Sequence, residues 1–137
     1  MDGKENEALA KNIRFHYDIR LGAPLKMDPV DIATILNNQL DNALEACTSV
    51  LDERQIEVAI EQRDRFVYFN VKNTVKDNPL SSYGSSYSGR LPSQKGVGHG
   101  FGIANIIEAA KKYDGTLSQS CENGYFISTV LVQNPDN

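Results

Sequence analysis

The chain has 137 residues, of which 40% are apolar and 23% charged, and its net charge at pH 7 is −4. This length suits one domain with a single hydrophobic core, and the acidic balance excludes the basic surface that nucleic-acid binding requires. No apolar run approaches the ~20 residues needed to span a bilayer, so we expect no direct membrane contact. The polar residues 1–11 are expected to be the tail of an upstream segment rather than a signal peptide.

The first predicted elements are a strand and a long helix. Residues 12–21 alternate between apolar and polar side chains well enough for a strand. Asp28 as a cap and Pro29 at the first helical position predict where the helix begins. Apolar residues then recur at the 3.6-residue period, which predicts that the helix runs to about Thr48 or Val50.

The other predicted elements are two hairpins, a long loop and a second helix. Residues 55–61 and 65–73 are rich in β-branched and aromatic residues on either side of a charged turn, which indicates an antiparallel hairpin. The Ser/Gly/Pro-rich stretch that follows, about residues 76–95, is predicted to be a mobile lid. The last predicted elements are a helix over 101–113 and a hairpin with strands over 116–121 and 125–132.

The order of these elements, β-α-β-β-lid-α-β-β, predicts the fold class. Helices separated by antiparallel hairpins indicate a two-layer α/β sandwich, with the helices on one face of a mixed, mostly antiparallel sheet. We expect one domain over residues 12–134. Cys47 and Cys121 lack metal-ligand spacing and are predicted to be free, buried thiols in a reducing cytosol. His16, in the first strand, is predicted to be structural.

Polar side chains follow one another along a single face of the first helix. Asn38, Asn42 and Glu45 lie at i, i+4 and i+7 and therefore share that face. Amide oxygens in such a row can contribute to a site for phosphate-bound Mg²⁺, since Mg²⁺ prefers oxygen ligands and takes few of them from the protein. The alternative is a solvated polar face without a ligand, and the helix by itself leaves both interpretations open.

A glycine-rich stretch precedes the second helix. Gly96, Gly98, Gly100 and Gly102 alternate with other residues, and backbone without Cβ atoms can approach a phosphate closely. The positive end of the following helix favours the same ligand. A dinucleotide-binding fingerprint fits this spacing badly because no βαβ unit surrounds it. A purely structural hinge before the helix remains an alternative.

These two stretches together resemble known sequence boxes. Asn38-Gln-Leu-Asp-Asn42-Ala resembles the N-box, Asn-x-x-x-Asn-Ala, and the glycine-rich stretch ending Gly102-Ile resembles the G2 box, Gly-x-Gly-x-Gly-Leu. The chain therefore resembles the GHKL ATPase superfamily and, within it, the catalytic ATP-binding domain of sensor histidine kinases. Asn-Ala-Leu-Glu45-Ala and His99-Gly-Phe-Gly-Ile are similar to the peptide-sensing (quorum-type) subgroup.

The resemblance implies a Bergerat fold that binds ATP and Mg²⁺. By it, Asn42 contacts Mg²⁺ and the phosphates with help from Asn38, and Glu45 lies on the same face. The γ-phosphate is expected to pass to a His on the dimerisation domain of the same parent protein, which is expected to be anchored in the membrane. A response regulator would be an indirect partner. This chain, expected in the cytoplasm, should not phosphorylate itself alone. The expected nucleotide-binding residues of the loop are Lys95, Gly96, Gly98, His99, Gly100, Phe101 and Gly102.

The chain departs from the family pattern at the G1 box, Asp-x-Gly-x-Gly, whose Asp reads the adenine amine. Asn73 stands at the expected place without the following glycines, and Asp77 is the second candidate. The Asn73 amide oxygen can accept from an amine as an Asp would. No F-box is evident, and Tyr83 or Tyr87 of the lid is the candidate to pack over the site in its place.

Two rival functions follow from the same residues. One is a GHKL Ser kinase of the anti-sigma type or a hydrolysing ATPase. Hydrolysing relatives often carry an acid at the position of Asn38, and an amide cannot be a general base; this favours phosphate transfer, although Glu45 on the same face could partly replace such an acid. The other rival is a degraded, non-catalytic interaction module, which the missing glycines after Asn73 keep open.

Overall fold

The computed structural model describes residues 6, 9–48, 50, 53–75, 86–88 and 97–135, with the backbone alone described for 86–88 and 97–101. Two long helices alternate with strands in the predicted order. The elements are β1 (Arg14–Arg20), α1 (Pro29–Cys47), β2 (Gln55–Arg63), β3 (Phe66–Thr74), β4 (Ser86–Ser88), α2 (Val97–Lys111), β5 (Thr116–Glu122) and β6 (Tyr125–Gln133).

The strands form one sheet in the order β1-β2-β3-β6-β5-β4. β1 and β2 are parallel, and the other neighbouring pairs are antiparallel. At the centre β3 pairs with β6, with Phe66 opposite Gln133 and Asn73 opposite Phe126. The predicted mixed, mostly antiparallel sheet is confirmed. The sequence does not predict β4, because this Ser-rich segment has little strand propensity of its own and pairs with the edge of β5.

Both helices pack on one face of the sheet, which confirms the predicted two-layer α/β sandwich. Alternate residues of β3 point to the helices, and the residues of α1 that recur at the helical period pack in the same core. Each fully buried aliphatic side chain contributes about 1.5–3 kcal/mol through the apolar surface that it removes from water. The most deeply buried side chains include Ile35, Leu40, Leu44, Ile56, Phe69, Ile106 and Val130.

Helix α1 begins where the sequence predicts. The Asp28 side chain accepts a hydrogen bond of 2.9 Å from the backbone N–H of Val30, and Pro29 is the first helical residue. The next acid, Asp31, is only 6% exposed and accepts from the Tyr113 hydroxyl at 2.6 Å and from Lys112 Nζ at 3.1 Å. These contacts tie the start of α1 to the turn after α2.

The hydrogen bond from Tyr113 is the main cause that lowers the pKa of Asp31 below its ordinary value, and Lys112 adds to it against the opposing effect of burial. Lys112 is itself largely exposed, so its share of the ion pair is screened by solvent and contributes little to stability. The Tyr113 hydroxyl also accepts from the backbone N–H of Asp28 at 3.0 Å. This buried carboxylate is therefore held mainly by a neutral hydrogen bond.

The two predicted hairpins are confirmed, and their turns have identifiable geometry. Asn123 and Gly124, between β5 and β6, have φ angles of 54° and 82°, as a two-residue type I′ turn requires at both positions. In the β2–β3 turn Asp64 has a φ of 56°. Cys47 and Cys121 are buried and free, as predicted.

Helix α2 differs from the prediction, which has it begin at Phe101. It begins at Val97, so Gly98 and Gly100 lie in its first turn rather than in a flexible loop. Glycine costs about 1 kcal/mol relative to alanine in a helix, a preference small enough for packing to override. None of the helices in the described part of the chain is long and apolar enough to cross a membrane.

Candidate functional site

The amide side chains predicted as ligands lie side by side on α1. Asn38 and Asn42 are both half-buried on this helix. Asn38 Nδ2 donates to the Thr34 carbonyl oxygen one turn back at 2.7 Å, which commits the amino group and leaves Oδ1 as the free acceptor. The Asn42 amide has no hydrogen-bond partner among the described residues. Glu45, one turn further on, is exposed to solvent.

Gly102 of α2 faces these two amides. A Cβ atom placed on Gly102 would lie 3.3 Å from Asn38 Oδ1, 3.6 Å from Asn42 Oδ1 and 3.9 Å from Asn42 Nδ2. The two sequence boxes, far apart along the chain, therefore meet at one point between the helices. Absence of a side chain at Gly102 is what leaves room there for both amides.

The residues at this point fit a phosphate-bound Mg²⁺. Two neutral amide oxygens face the space beside Gly102, and neutral oxygens are suitable partial ligands when phosphates and water supply the rest. Among the described residues there is no cluster of three or more His, Cys, Asp or Glu side chains that would hold a metal ion without such help. The donor set therefore suits a metal that arrives with its phosphates.

The first turn of α2 provides the second part of the site. The first four backbone N–H groups of a helix have no partner within it, and in α2 they belong to residues 97–100. These groups and the positive end of the helix dipole favour a phosphate. Gly98, His99, Gly100 and Phe101 are thus brought to the expected end of α2 in a helical turn. Lys95 and Gly96 lie outside the described residues.

Asn73 lies near the end of β3, on the helix-facing side of the sheet. It is 1% exposed, and its Nδ2 donates to the Thr74 carbonyl oxygen at 3.0 Å. The neighbouring Thr74 hydroxyl lies 3.2 Å from Cys47 Sγ on α1. The end of β3 therefore lies beneath the last turn of α1, about 7.5 Å beyond Asn42 along the helix axis.

The other candidates near the adenine position are not described to the same extent. Asp77 and Tyr83 lie outside the described residues, as does most of the predicted lid. Tyr87 lies in β4, where the backbone pairs with Gln119 of β5. His16 is exposed on β1, away from the amides of α1, so nothing in its position adds it to the site.

The sequence does not reveal one polar residue beside the site. Gln39 follows Asn38 but points about 100° away from it around the helix, into the core, where it is 2% exposed. Its Nε2 lies 3.0 Å from the Phe69 carbonyl oxygen and 3.3 Å from that of Ser128. A polar residue between Leu36 and Leu40 on the apolar face is the signal by which the sequence could have indicated it.

Gly102→Ala tests the close approach of the helices. We expect ATP affinity to fall about 5- to 10-fold, because the new methyl group would push Asn38 Oδ1 aside and fill the space that both amides face. Stability should stay the same or rise by up to about 1 kcal/mol, since alanine favours the helix. Calorimetric ATP titration and urea denaturation measure the two effects. Gly22→Ala, with nothing within 4 Å of its Cβ, is the control. Unchanged affinity in Gly102→Ala would place the ligand elsewhere.

Comparisons with known proteins agree with this geometry. A family model described as a GHKL domain matches residues 27–133. The nucleotide-free catalytic domain of histidine kinase ThkA superposes with a TM-score of 0.75 at 17% identity, over 95% of this chain and 84% of that one. Comparison with curated protein sequences gives no match.

Two further kinases share the fold. Acinetobacter baumannii histidine kinase AdeS matches with a TM-score of 0.69 at 14% identity, over 99% of this chain and 61% of that chain. Full-length ShkA in complex with AMPPNP matches with a TM-score of 0.74 at 16% identity, over 96% of this chain and 27% of its own. At these identities the similarity shows a common fold.

Proposed function

Since this chain belongs to the GHKL family of ATP-binding domains, we propose that it is the catalytic domain of a sensor histidine kinase of the peptide-sensing type. It would bind Mg-ATP between α1 and α2 and transfer the γ-phosphate to a His on the dimerisation domain of its parent protein. A response regulator would then receive the phosphate. The chain would work in the cytoplasm, with its parent anchored in the membrane.

The observation that carries this proposal is the meeting of Asn38, Asn42 and Gly102 at one point. When bound, Mg²⁺ neutralises the charge of the phosphates and holds them in line for transfer. Asn42, with Asn38 beside it, would provide amide oxygens for the metal and the phosphates. The backbone N–H groups at the start of α2 would hold the phosphate oxygens, with Lys95, Gly96 and His99 next to them. Asn73 would accept from the adenine amine.

Transfer is favoured over hydrolysis by the chemistry of this helix. Asn38 stands where a water-activating acid would be expected, and an amide cannot take up a proton from water. Glu45 is exposed and lies about two turns beyond Asn38, so it does not stand at that position. Catalysis would then rest on positioning and electrostatic stabilisation of the phosphoryl group.

Burial of Asn73 favours one second candidate function. With 1% exposure and a donor group committed to Thr74, this residue reaches an adenine only if neighbouring groups make room. A non-catalytic GHKL module that binds protein partners would retain the fold and keep this side chain buried. Nucleotide binding separates the two candidates.

The first experiment is a calorimetric titration of the folded chain with ATP, with Mg²⁺ and then with EDTA. We expect binding in both conditions, about 10-fold tighter with Mg²⁺, because the metal adds ligands and removes charge repulsion. AMP, which lacks the outer phosphates, is the control and should not respond to Mg²⁺. No binding by the folded chain at millimolar ATP would replace the kinase by the non-catalytic module.

The acceptor is tested on the parent protein with labelled ATP. Label on a His is lost in acid and kept in base, whereas label on a Ser is stable in acid. An acid-stable label would indicate a Ser kinase of the anti-sigma type instead.

A further inference from the structure

One buried side chain connects α1 to both central strands of the sheet. The Gln39 amino group lies 3.0 Å from the Phe69 carbonyl oxygen of β3. It lies 3.3 Å from the Ser128 carbonyl oxygen of β6 and 3.2 Å from the Ser128 hydroxyl. A single amide thus donates across the junction of β3 and β6. Its position is in the middle of α1, directly after Asn38.

Asp31 ties the start of α1 to Lys112 and Tyr113 by hydrogen bonds, whereas most other buried residues of α1 hold the helix by packing. Leu36, Leu40 and Leu44 pack by apolar contact, which is non-directional and permits small rotations of a helix on a sheet. Hydrogen bonds weaken steeply when their angles change. Cys47 also contacts the sheet, at 3.2 Å from the Thr74 hydroxyl, but a thiol is a weak donor. Gln39 therefore provides a directional contact between α1 and both central strands of the sheet.

Rotation of α1 about its own axis would move both amides of the proposed site together. Successive residues of an α-helix are about 100° apart, so Asn38 and Asn42 lie within about 40° of each other, on one side of Gln39. A rotation of about 10° moves their amide atoms by about 1 Å at the radius of a side chain. The two Oδ1 atoms lie 3.3 and 3.6 Å from the position that a Cβ atom on Gly102 would take, so a movement of this size would change how both amides face Gly102.

Gln39 is not what stability alone would select. Its Oε1 is buried and has no hydrogen-bond partner among the described residues, and a buried unpaired acceptor lowers stability. A leucine would remove this oxygen together with the donor, and the two carbonyl oxygens that lose the donor belong to strands paired on both sides, each carbonyl having two lone pairs. Leucine would continue the apolar face formed by Leu36 and Leu40. An advantage other than stability is needed to explain a glutamine at this place.

We infer that Gln39 is a positioning residue that sets the rotation of α1 and thereby aims Asn38 and Asn42 at Gly102. This role rests on the proposed nucleotide site and assigns its alignment to a residue that touches neither nucleotide nor metal. The Gln39 amide fixes α1 against β3 and β6 together. The unpaired oxygen is the cost of placing its donor group there.

The test uses Gln39→Leu and Gln39→Met, with ATP affinity measured by calorimetry with and without Mg²⁺ and stability measured by urea denaturation. We expect stability to be kept or raised, affinity for Mg-ATP to fall about 10-fold, and the difference between the two metal conditions to shrink. A residue that only stabilises the fold would not change that difference. Leu40→Met is the control, since it alters packing in the same helix and leaves the Gln39 hydrogen bonds in place.

Side-chain amide signals of Asn38 and Asn42 in NMR spectra provide a readout that does not depend on nucleotide. They should shift in Gln39→Leu and keep their positions in Leu40→Met. If wild-type chain fails to bind ATP, the proposed function fails, and these shifts still decide whether Gln39 aligns the amides. The inference would be overturned if a folded Gln39→Leu chain bound Mg-ATP as tightly as wild type does and its Asn38 and Asn42 signals did not shift. If the leucine variant does not fold, Gln39→Met decides the same question.

Discussion

Asn42→Ala is expected to lower the affinity for Mg-ATP about 10- to 100-fold. The amide has no hydrogen-bond partner among the described residues and lies against Gly102, so its polar atoms are available to a ligand. Loss of a hydrogen bond or metal contact to a charged group costs about 1.5–3 kcal/mol, which corresponds to this range. Calorimetric titration with Mg²⁺ measures the loss directly.

Stability of the same variant should hardly change. Asn42 is half-buried, and alanine is the better helix former by a few tenths of a kcal/mol. Asn37→Ala is the matched control, because it makes the same chemical change on the exposed side of α1, five residues away. A folded Asn42→Ala chain that binds Mg-ATP as tightly as wild type does would remove this residue from the site.

Gly115→Ala is expected to destabilise the fold by about 2–3 kcal/mol. A Cβ atom on Gly115 would lie 2.5 Å from Val132 Cγ1, 2.7 Å from the Leu131 carbonyl oxygen and 2.8 Å from that of Ala110. Two of these neighbours are backbone atoms that hold α2 and β6, so they cannot move aside cheaply. Overpacking of a tight site costs about 1–3 kcal/mol, and backbone clashes belong to the upper part of that range.

The measurement is the free energy of unfolding from urea denaturation, with the slope compared between variants. Gly124→Ala is a useful comparison, because Gly124 has open space around it and a φ of 82°. It should lose only about 1 kcal/mol, from backbone strain without a clash. Equal losses in the two variants would mean that the surroundings of Gly115 relax, contrary to our expectation.

The fold could be predicted well because local signals agree with the tertiary structure. Asp28 and Pro29 determine the start of α1, and the Asn123-Gly124 pair determines a hairpin turn. Alternation in β3 places its odd-numbered residues on the helix side. The start of α2 could not be placed as well, since glycines at 98 and 100 favour a loop by propensity whereas the helix begins at Val97.

The site could be predicted as a set of residues but not as a geometry. The spacing of Asn38 and Asn42 shows that they share a helix face, but not that Gly102 lies against them, because that contact joins two helices far apart along the chain. For the same reason the partners of Gln39 on β3 and β6 could not be found. The roles of Glu45, Asn73 and the residues of the loop remain predictions.

This domain consists of two halves that are joined by the pairing of β3 with β6. The first half, β1 to β3 with α1, contains Asn38, Asn42 and Asn73, and the second, α2 to β6, contains Gly102. Each half can form its own hairpin early from neighbouring residues, whereas their junction must wait for distant segments to meet. A partly folded chain therefore has no nucleotide site. Any ligand of that site stabilises only the fully joined domain, so its binding would report that folding is complete.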